Sequence, residues 1–224
     1  MKVEKTPFEG IYKLDGKLAT VNTVPGYRPF GEEIVKVGNI EYRIWNPHTS
    51  KPAAAIVKGL KVFPLKKDMK VLYLGIAAGK TATYFSNIIG PKGLIIGVDI
   101  AERVLKDALL ISEKYKNIVP LLADARKPET YEKFVLSKVD FVYEDVASED
   151  QIPILIKNSE KFLKPNGYAA IAIKSQSISS VEDPKVIYQR CLEELEKHFK
   201  ILDKVELDPY EKYHLFVVLQ FIPS

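Results

Sequence analysis

From about residue 56 onward, apolar segments of strand length alternate with segments that have helical spacing. The strands are predicted at residues 71–75, 94–99, 118–122, 139–145 and 167–174. The helices are predicted at residues 81–89, 101–116, 151–163 and 184–198. Strands that alternate with helices join through crossover connections and pair in parallel. The alternation therefore predicts an α/β fold built on a parallel sheet.

The two ends of the chain differ from this pattern. Near the C-terminus, "FKILDKVEL" and "HLFVVLQFI" are separated only by "DPYEKY", and so short a connection predicts antiparallel neighbours. Five parallel strands followed by an antiparallel hairpin are the arrangement of Rossmann-like methyltransferases. Residues 1–55 contain short β-like pieces broken by the turn sequences "LDGK" and "VGNI". We therefore predict a small N-terminal antiparallel β domain over residues 1–55 and a Rossmann-like domain over residues 56–224.

Composition limits the class of protein. No apolar run reaches the roughly 18 residues that a membrane span needs, and "MKVEKTPFEG" lacks the apolar region of a secretory signal. The single cysteine, Cys191, excludes an intramolecular disulfide and indicates a reducing compartment, so a cytoplasmic location is expected. The net charge of +4 is compatible with RNA binding but does not indicate it. Only five of the 33 basic residues are arginine, a lysine enrichment typical of thermophilic sources.

The strand at 71–75 ends in the glycine turn "GIAAGKT", which two kinds of site use. A Walker A loop has four residues between its first glycine and the Gly-Lys pair, whereas only three separate Gly75 from Gly79. The segment "VDFVYED" resembles a Walker B strand, so a P-loop nucleotide-binding module stays an alternative.

Two acidic residues favour a nucleoside cofactor instead. Asp99 ends the next strand, 20 residues beyond Gly79, where a carboxylate binds ribose hydroxyls. Asp124 follows the third strand and is expected to contact adenine. The turn and the two acids together predict a site for S-adenosylmethionine, with three ordinary strand ends as the plain alternative.

Four polar side chains are expected at the rim formed by the carboxyl ends of the strands, where ligands of such sheets bind. Asp145 and Lys174 end the fourth and fifth strands, His214 opens the reversed strand, and Lys51 precedes the sheet. Methyl transfer to a hydroxyl needs the oxygen in line with the methyl and its proton weakened, which lysines beside a carboxylate can do. Each residue alone is more often solvated or structural. No Cys/His spacing indicates a metal site.

Several motifs carry a more specific resemblance. "YRIWNPHTSKPAAAI", "VLYLGIAAGKTATYFSNIIGPKG", "VDFVYEDVASEDQ", "AIAIKSQSI" and "LDPYEKYHLFVV" resemble archaeal fibrillarin, the RNA 2′-O-methyltransferase of box C/D ribonucleoproteins. The resemblance implies a Lys-Asp-Lys-His tetrad at Lys51, Asp145, Lys174 and His214. It also implies cofactor contacts, beside Gly75 and Gly79, at Lys80, Thr81, Asp99, Ile100, Asp124, Ala125, Asp145, Val146, Ala147 and Ser148. The implied partners are a guide RNA with its target RNA, a Nop-family scaffold protein and a kink-turn-binding protein of the ribosomal type.

The sequence departs from the fibrillarin pattern at several positions. Thr49 stands where Arg is usual, Pro52 where Leu is usual, and Asp99 where Glu is usual. "AGKT" replaces Ser-Gly-Thr-Thr, and "DVAS" replaces "DVAQ". Pro52 predicts an extended backbone at Lys51. Lys80 either pairs with the cofactor carboxylate or points to solvent, and the sequence leaves both open.

The sequence thus predicts an S-adenosylmethionine-dependent RNA ribose 2′-O-methyltransferase that acts in a guide-RNA particle on rRNA, with tRNA as a second substrate class. Base pairing by the guide would select the nucleotide, so the enzyme need only recognise backbone shape and the target hydroxyl. The alternatives are a methyltransferase of the same fold that acts on a protein or small molecule, the P-loop module, and a non-catalytic scaffold.

Overall fold

The computed structural model describes residues 2–222, so Met1, Pro223 and Ser224, which the predicted domain ranges include, lie outside the described part. Five short strands form an antiparallel sheet in the order β1-β2-β3-β5-β4. They are β1 (Val3–Lys5), β2 (Ile11–Leu14), β3 (Lys17–Val21), β4 (Ile34–Val37) and β5 (Ile40–Ile44). The predicted hairpin turns are present: Asp15 and Gly16 between β2 and β3, and Gly38 between β4 and β5, have the positive φ that tight hairpins use.

Seven strands form the second sheet. They are β6 (Lys70–Leu74), β7 (Leu94–Asp99), β8 (Ile118–Leu122), β9 (Val139–Glu144), β10 (Leu163–Lys174), β11 (Phe199–Glu206) and β12 (His214–Phe221). Their order is β11-β12-β10-β9-β6-β7-β8, with β6 to β10 parallel and β12 antiparallel to both of its neighbours. This is the predicted Rossmann-like sheet with its terminal hairpin.

Beside two short 3₁₀ helices, Pro128–Thr130 and Glu132–Phe134, six α-helices accompany the sheet within residues 2–222. They are α1 (Lys51–Val57), α2 (Lys80–Ile89), α3 (Glu102–Ser112), α4 (Gln151–Phe162), α5 (Ser175–Ile178) and α6 (Pro184–Leu195). The sequence predicts four of them, and α1 and α5 are additional. No helix in this described range has the length and apolar character needed to cross a membrane.

Helix α1 overturns the expectation of an extended backbone at Lys51, which is the first helical residue, with Pro52 directly after it. Proline is tolerated in the first turn of a helix because an N–H there has no partner within the helix. The following side chains, Pro52 to Ile56, are buried. Burial of this apolar segment outweighs the local bias of a residue that precedes proline.

The N-terminal sheet packs against α2 and shares a core with the main sheet. Ile11, Leu18 and Trp45 belong to the same buried cluster as Phe85 and Phe141. Arg43 is fully buried and joins the two parts. Its guanidinium donates to the Tyr115 hydroxyl at 2.6 Å and the Thr83 hydroxyl at 2.5 Å, and lies 3.9 Å from the centre of the Tyr84 ring. The division into two domains at residue 55 stays a prediction.

Candidate active site

A groove of about 390 Å³ lies at the carboxyl ends of the central strands. Nine of the residues predicted to contact the cofactor line it: Gly75, Asp99, Ile100, Asp124, Ala125, Asp145, Val146, Ala147 and Ser148. The other three lie elsewhere. Gly79 caps α2 and packs towards α3, where an added Cβ would lie 3.6 Å from Ala108. Thr81 and Lys80 line two neighbouring cavities. We call the 390 Å³ groove the donor groove.

The glycine turn shapes one wall of the donor groove. Gly75 has φ of +82°, and a Cβ there would lie 2.4 Å from the carbonyl oxygen of Asp145, so no other residue fits. Ala77 also has positive φ, at 50°. Its N–H donates to Asp99 Oδ2 at 2.8 Å, and the N–H of Ala101 donates to Asp99 Oδ1 at 2.9 Å. Asp99 therefore holds the turn and the start of α3 together while facing the groove.

The Lys51 ammonium and the Asp145 carboxylate form an ion pair, with Nζ 2.8 Å from Oδ2. Both side chains are about one-quarter exposed, at 22% and 25%. A small polar cavity of about 120 Å³ adjoins the pair and is also lined by Ser50, Thr81 and Glu211. Because Asp145 lines this cavity as well as the donor groove, it stands at the junction of the two.

Lys174 and His214 are direct cross-strand partners on β10 and β12. His214 is only 5% exposed, and its Nδ1 lies 2.8 Å from the carbonyl oxygen of Lys212. A carbonyl only accepts, so Nδ1 carries the proton and Nε2 keeps a lone pair. Burial lowers the pKa of His214 below its ordinary value, and the positive charge of Lys51 acts in the same direction. The imidazole is therefore neutral at pH 7.

The sequence model of the Fibrillarin family matches residues 2–223. The chain belongs to the fibrillarin family. The fibrillarin-like rRNA/tRNA 2′-O-methyltransferase of Pyrococcus abyssi is 48% identical over 97% of this chain and 98% of its own length.

Two solved structures are also similar over nearly the whole chain. The crystal structure of Aeropyrum pernix fibrillarin with natively bound S-adenosyl-L-methionine has a TM-score of 0.89 and 41% identity, covering 98% of each chain. The structure of a fibrillarin/Nop5p complex has a TM-score of 0.89 and 36% identity, covering 97% of this chain and 100% of the matched one.

Arg126 lines the donor groove of this fibrillarin-family chain but was not predicted from its sequence. Its guanidinium forms two hydrogen bonds of 3.0 Å with the two oxygens of Asp124. These bonds lower the pKa of Asp124, so the carboxylate stays ionised. The only sequence signal is the spacing of two residues, which lets the arginine fold back onto the acid.

Lys80, a departure from the usual fibrillarin pattern, lies outside the donor groove. Its amine is 5.5 Å from the centre of the Phe30 ring. Together with Thr49, another departure, it lines a cavity of about 510 Å³ between the N-terminal sheet and α2. A cofactor contact of Lys80 remains a prediction.

Gln151 is a further residue that the sequence analysis missed. It is fully buried at the start of α4. Its side-chain oxygen accepts from the N–H of Lys174 at 2.9 Å. Its amide nitrogen donates to the carbonyl oxygens of Ser148 at 2.9 Å and Lys174 at 3.1 Å. A glutamine after an acidic run gives no sign of such long-range contacts.

Proposed function

We propose that this fibrillarin-family chain is an S-adenosylmethionine-dependent RNA ribose 2′-O-methyltransferase, the catalytic subunit of a box C/D guide-RNA particle that modifies rRNA and tRNA. The observation that carries the proposal is Asp145, which lines the donor groove on one side and pairs with Lys51 on the other. A methyl donor and a hydroxyl acceptor must meet at such a junction. The similarity to rRNA/tRNA 2′-O-methyltransferases over nearly the whole chain supports the same reaction.

The donor groove fits S-adenosylmethionine. Because Gly75 has no Cβ, the backbone of the turn can lie close against the backbone of Asp145 in the groove wall. Asp99 would hold the ribose hydroxyls, Asp124 the adenine, and residues 145–148 the far wall. When bound, the cofactor supplies an electrophilic methyl group. Together with the family membership, this fit supports the donor-binding interpretation of the glycine turn over the P-loop interpretation.

The four rim residues have different roles in methyl transfer to the RNA hydroxyl. Lys174 activates the ribose hydroxyl. The neighbouring neutral His214 has a lone pair that can accept the proton of this hydroxyl. The Lys51–Asp145 pair fixes the carboxylate at the edge of the donor groove, where it orients the reacting groups. Much of the rate comes from holding the hydroxyl in line with the methyl.

The partners belong to the proposal too. A Nop-family scaffold would dock the enzyme onto the guide RNA, as the similar fibrillarin/Nop5p complex supports, and a kink-turn-binding protein would complete the particle. The net charge of +4 is too small for strong RNA binding without such help. The proposal includes a cytoplasmic location, which is supported by the single cysteine, Cys191, a buried free thiol.

The reaction is tested by methyl transfer to two RNA substrates that differ only at the target nucleotide. The reconstituted particle is given labelled S-adenosylmethionine and a guide-matched RNA, and a second RNA carries 2′-deoxyribose at the target nucleotide only. We expect label in the first RNA and none in the second. Equal labelling of both, or label on protein alone, would overturn the ribose assignment.

A further inference from the structure

Helix α4 carries two buried amide side chains that reach the walls of the active site. Gln151 and Asn158 are both fully buried and seven residues apart, which places them on one face of the helix. Gln151 bonds to backbone groups of Ser148 and Lys174. Asn158 bonds to the carbonyl oxygens of Ala125 and of Ile154 in its own helix, and to the Tyr131 hydroxyl. Ser148 and Ala125 line the donor groove, and Lys174 is the last residue of β10.

Asn158 serves the donor groove alone. Its amide nitrogen donates to the carbonyl oxygen of Ala125 at 2.9 Å, and Ala125 lines the groove beside Asp124. The hydroxyl of Tyr131 donates to the side-chain oxygen of Asn158 and holds the amide in place. None of these bonds reaches Lys174.

Gln151 connects the donor groove to the catalytic strand. Its single amide bonds to both backbone groups of Lys174 and to the carbonyl oxygen of Ser148, a groove residue. The position of the Lys174 backbone is thereby fixed relative to the loop at 145–148. Since Gln151 is fully buried, it cannot contact RNA or donor and acts only through these neighbours.

We infer that Gln151 is a positioning residue for methyl transfer, which holds Lys174 in register with the donor groove. The inference rests on the proposed function. Transfer requires the activated oxygen, the methyl and the sulfur in line, and a displacement of about 1 Å in such a geometry costs on the order of 100-fold in rate. Without the amide, three partly buried backbone groups of Lys174 and Ser148 lose this partner, and the end of β10 can shift relative to Ser148.

The test compares variants in the reconstituted particle, under single-turnover conditions at saturating S-adenosylmethionine. Gln151→Met keeps the length of the side chain and removes every hydrogen bond. We expect its transfer rate to fall about 10- to 100-fold while donor affinity changes far less. Asn158→Leu should show the opposite pattern, a larger loss in donor affinity than in transfer rate.

Ser159→Ala is the matched control, because Ser159 is buried on the same helix and its hydroxyl has no hydrogen-bond partner within residues 2–222. Its transfer rate should equal that of the wild type. If Gln151→Met does not fold, Gln151→Glu replaces it, since the acid keeps an acceptor for the Lys174 N–H but cannot donate to both carbonyl oxygens. We expect its transfer rate to fall below that of the wild type while donor affinity changes far less.

A folded Gln151 variant with the wild-type transfer rate would overturn the inference and leave Gln151 a purely structural residue. Equal losses in rate for the Gln151 and Asn158 variants would overturn it too, because they would show a general loosening of α4. Failure of the wild-type particle to methylate ribose would instead refute the proposed function, so the two failures are distinguishable.

Discussion

The Nζ atom of Lys51 lies 2.8 Å from Oδ2 of Asp145, although the two residues are 94 positions apart in the chain. The first turn of α1 and the end of β9 meet here, beside the donor groove. Removal of either partner would leave a partly shielded charge without its counterion. The pair therefore ties the segment before the main sheet to the edge of the donor groove.

Replacement of Lys174 by alanine should abolish transfer and preserve donor binding. In the proposed function Lys174 acts on the nucleophile, and it does not line the donor groove. The loss of a group that assists proton transfer typically costs about 10²–10⁴ in rate. Single-turnover kinetics and calorimetric donor titration measure the two effects. Lys164→Ala, at the exposed opposite end of β10, should be neutral. Joint loss of donor binding and transfer would make Lys174 a binding residue.

Asp99→Ala should weaken donor binding by about 1.5–3 kcal/mol, because charge-assisted hydrogen bonds to the ribose are lost. The N–H groups of Ala77 and Ala101 also lose their acceptor, so the melting temperature should fall slightly. Titration calorimetry with the exposed Asp107→Ala variant as control checks this. Unchanged affinity in a folded Asp99→Ala protein would remove Asp99 from the donor site.

Glu144 provides a test through stability, since its carboxyl group is fully buried and neither oxygen has a hydrogen-bond partner within residues 2–222. Burial, and secondly the charge of Asp145, raise its pKa well above 4.5. Above pH 4.5 the carboxyl group releases its proton in the unfolded chain but keeps it in the folded chain. The free energy of unfolding therefore falls as pH rises, by at most about 1.4 kcal/mol per pH unit.

Glu144→Gln removes this titration. The stability of the variant relative to the wild type should therefore increase from pH 5 to pH 8. Chemical denaturation at several pH values measures it, and Glu149→Gln, the same change at an exposed position, is the control variant. A constant difference across this range would contradict a neutral buried carboxyl.

His214 should make the free energy of unfolding depend on pH in the opposite direction. Its folded pKa lies below the ordinary value of 6.5, chiefly through burial, so below that pH the unfolded state binds a proton that the folded state does not. The free energy of unfolding should fall as pH drops below about 6.5, by at most about 1.4 kcal/mol per pH unit. His214→Gln should lack this part of the acid destabilisation, and the exposed His48→Gln variant should retain it. Parallel stability curves for wild type and His214→Gln would contradict the assignment.

Local patterns in the sequence were sufficient for the sheet and for most of the donor groove. The strand β7 is an uninterrupted apolar run that ends at Asp99. This position and its spacing from Gly79 were enough to predict Asp99 as a residue of the groove. Both signals are local. The same holds for Asp124 after β8.

Residues whose positions depend on distant packing were not predictable in this way. Helix α1 forms despite Pro52 because its apolar side chains are buried against the rest of the chain. The amine of Lys80 lies over Phe30, which comes from the N-terminal region. The hydrogen bonds of Gln151 can be identified only from the folded chain, where β10 and the loop at 145–148 both lie beside it.

We expect this chain to methylate RNA ribose efficiently only when a guide-RNA particle positions the substrate. The most direct test measures single-turnover methylation of one matched RNA by the chain alone and by the chain with guide RNA and scaffold proteins, each at saturating S-adenosylmethionine. Because positioning supplies much of the rate and the chain has a net charge of only +4, we predict donor binding in both cases and efficient transfer only in the particle. Equal transfer rates would show that the chain recognises its substrate unaided, and the proposed need for a particle would then be wrong.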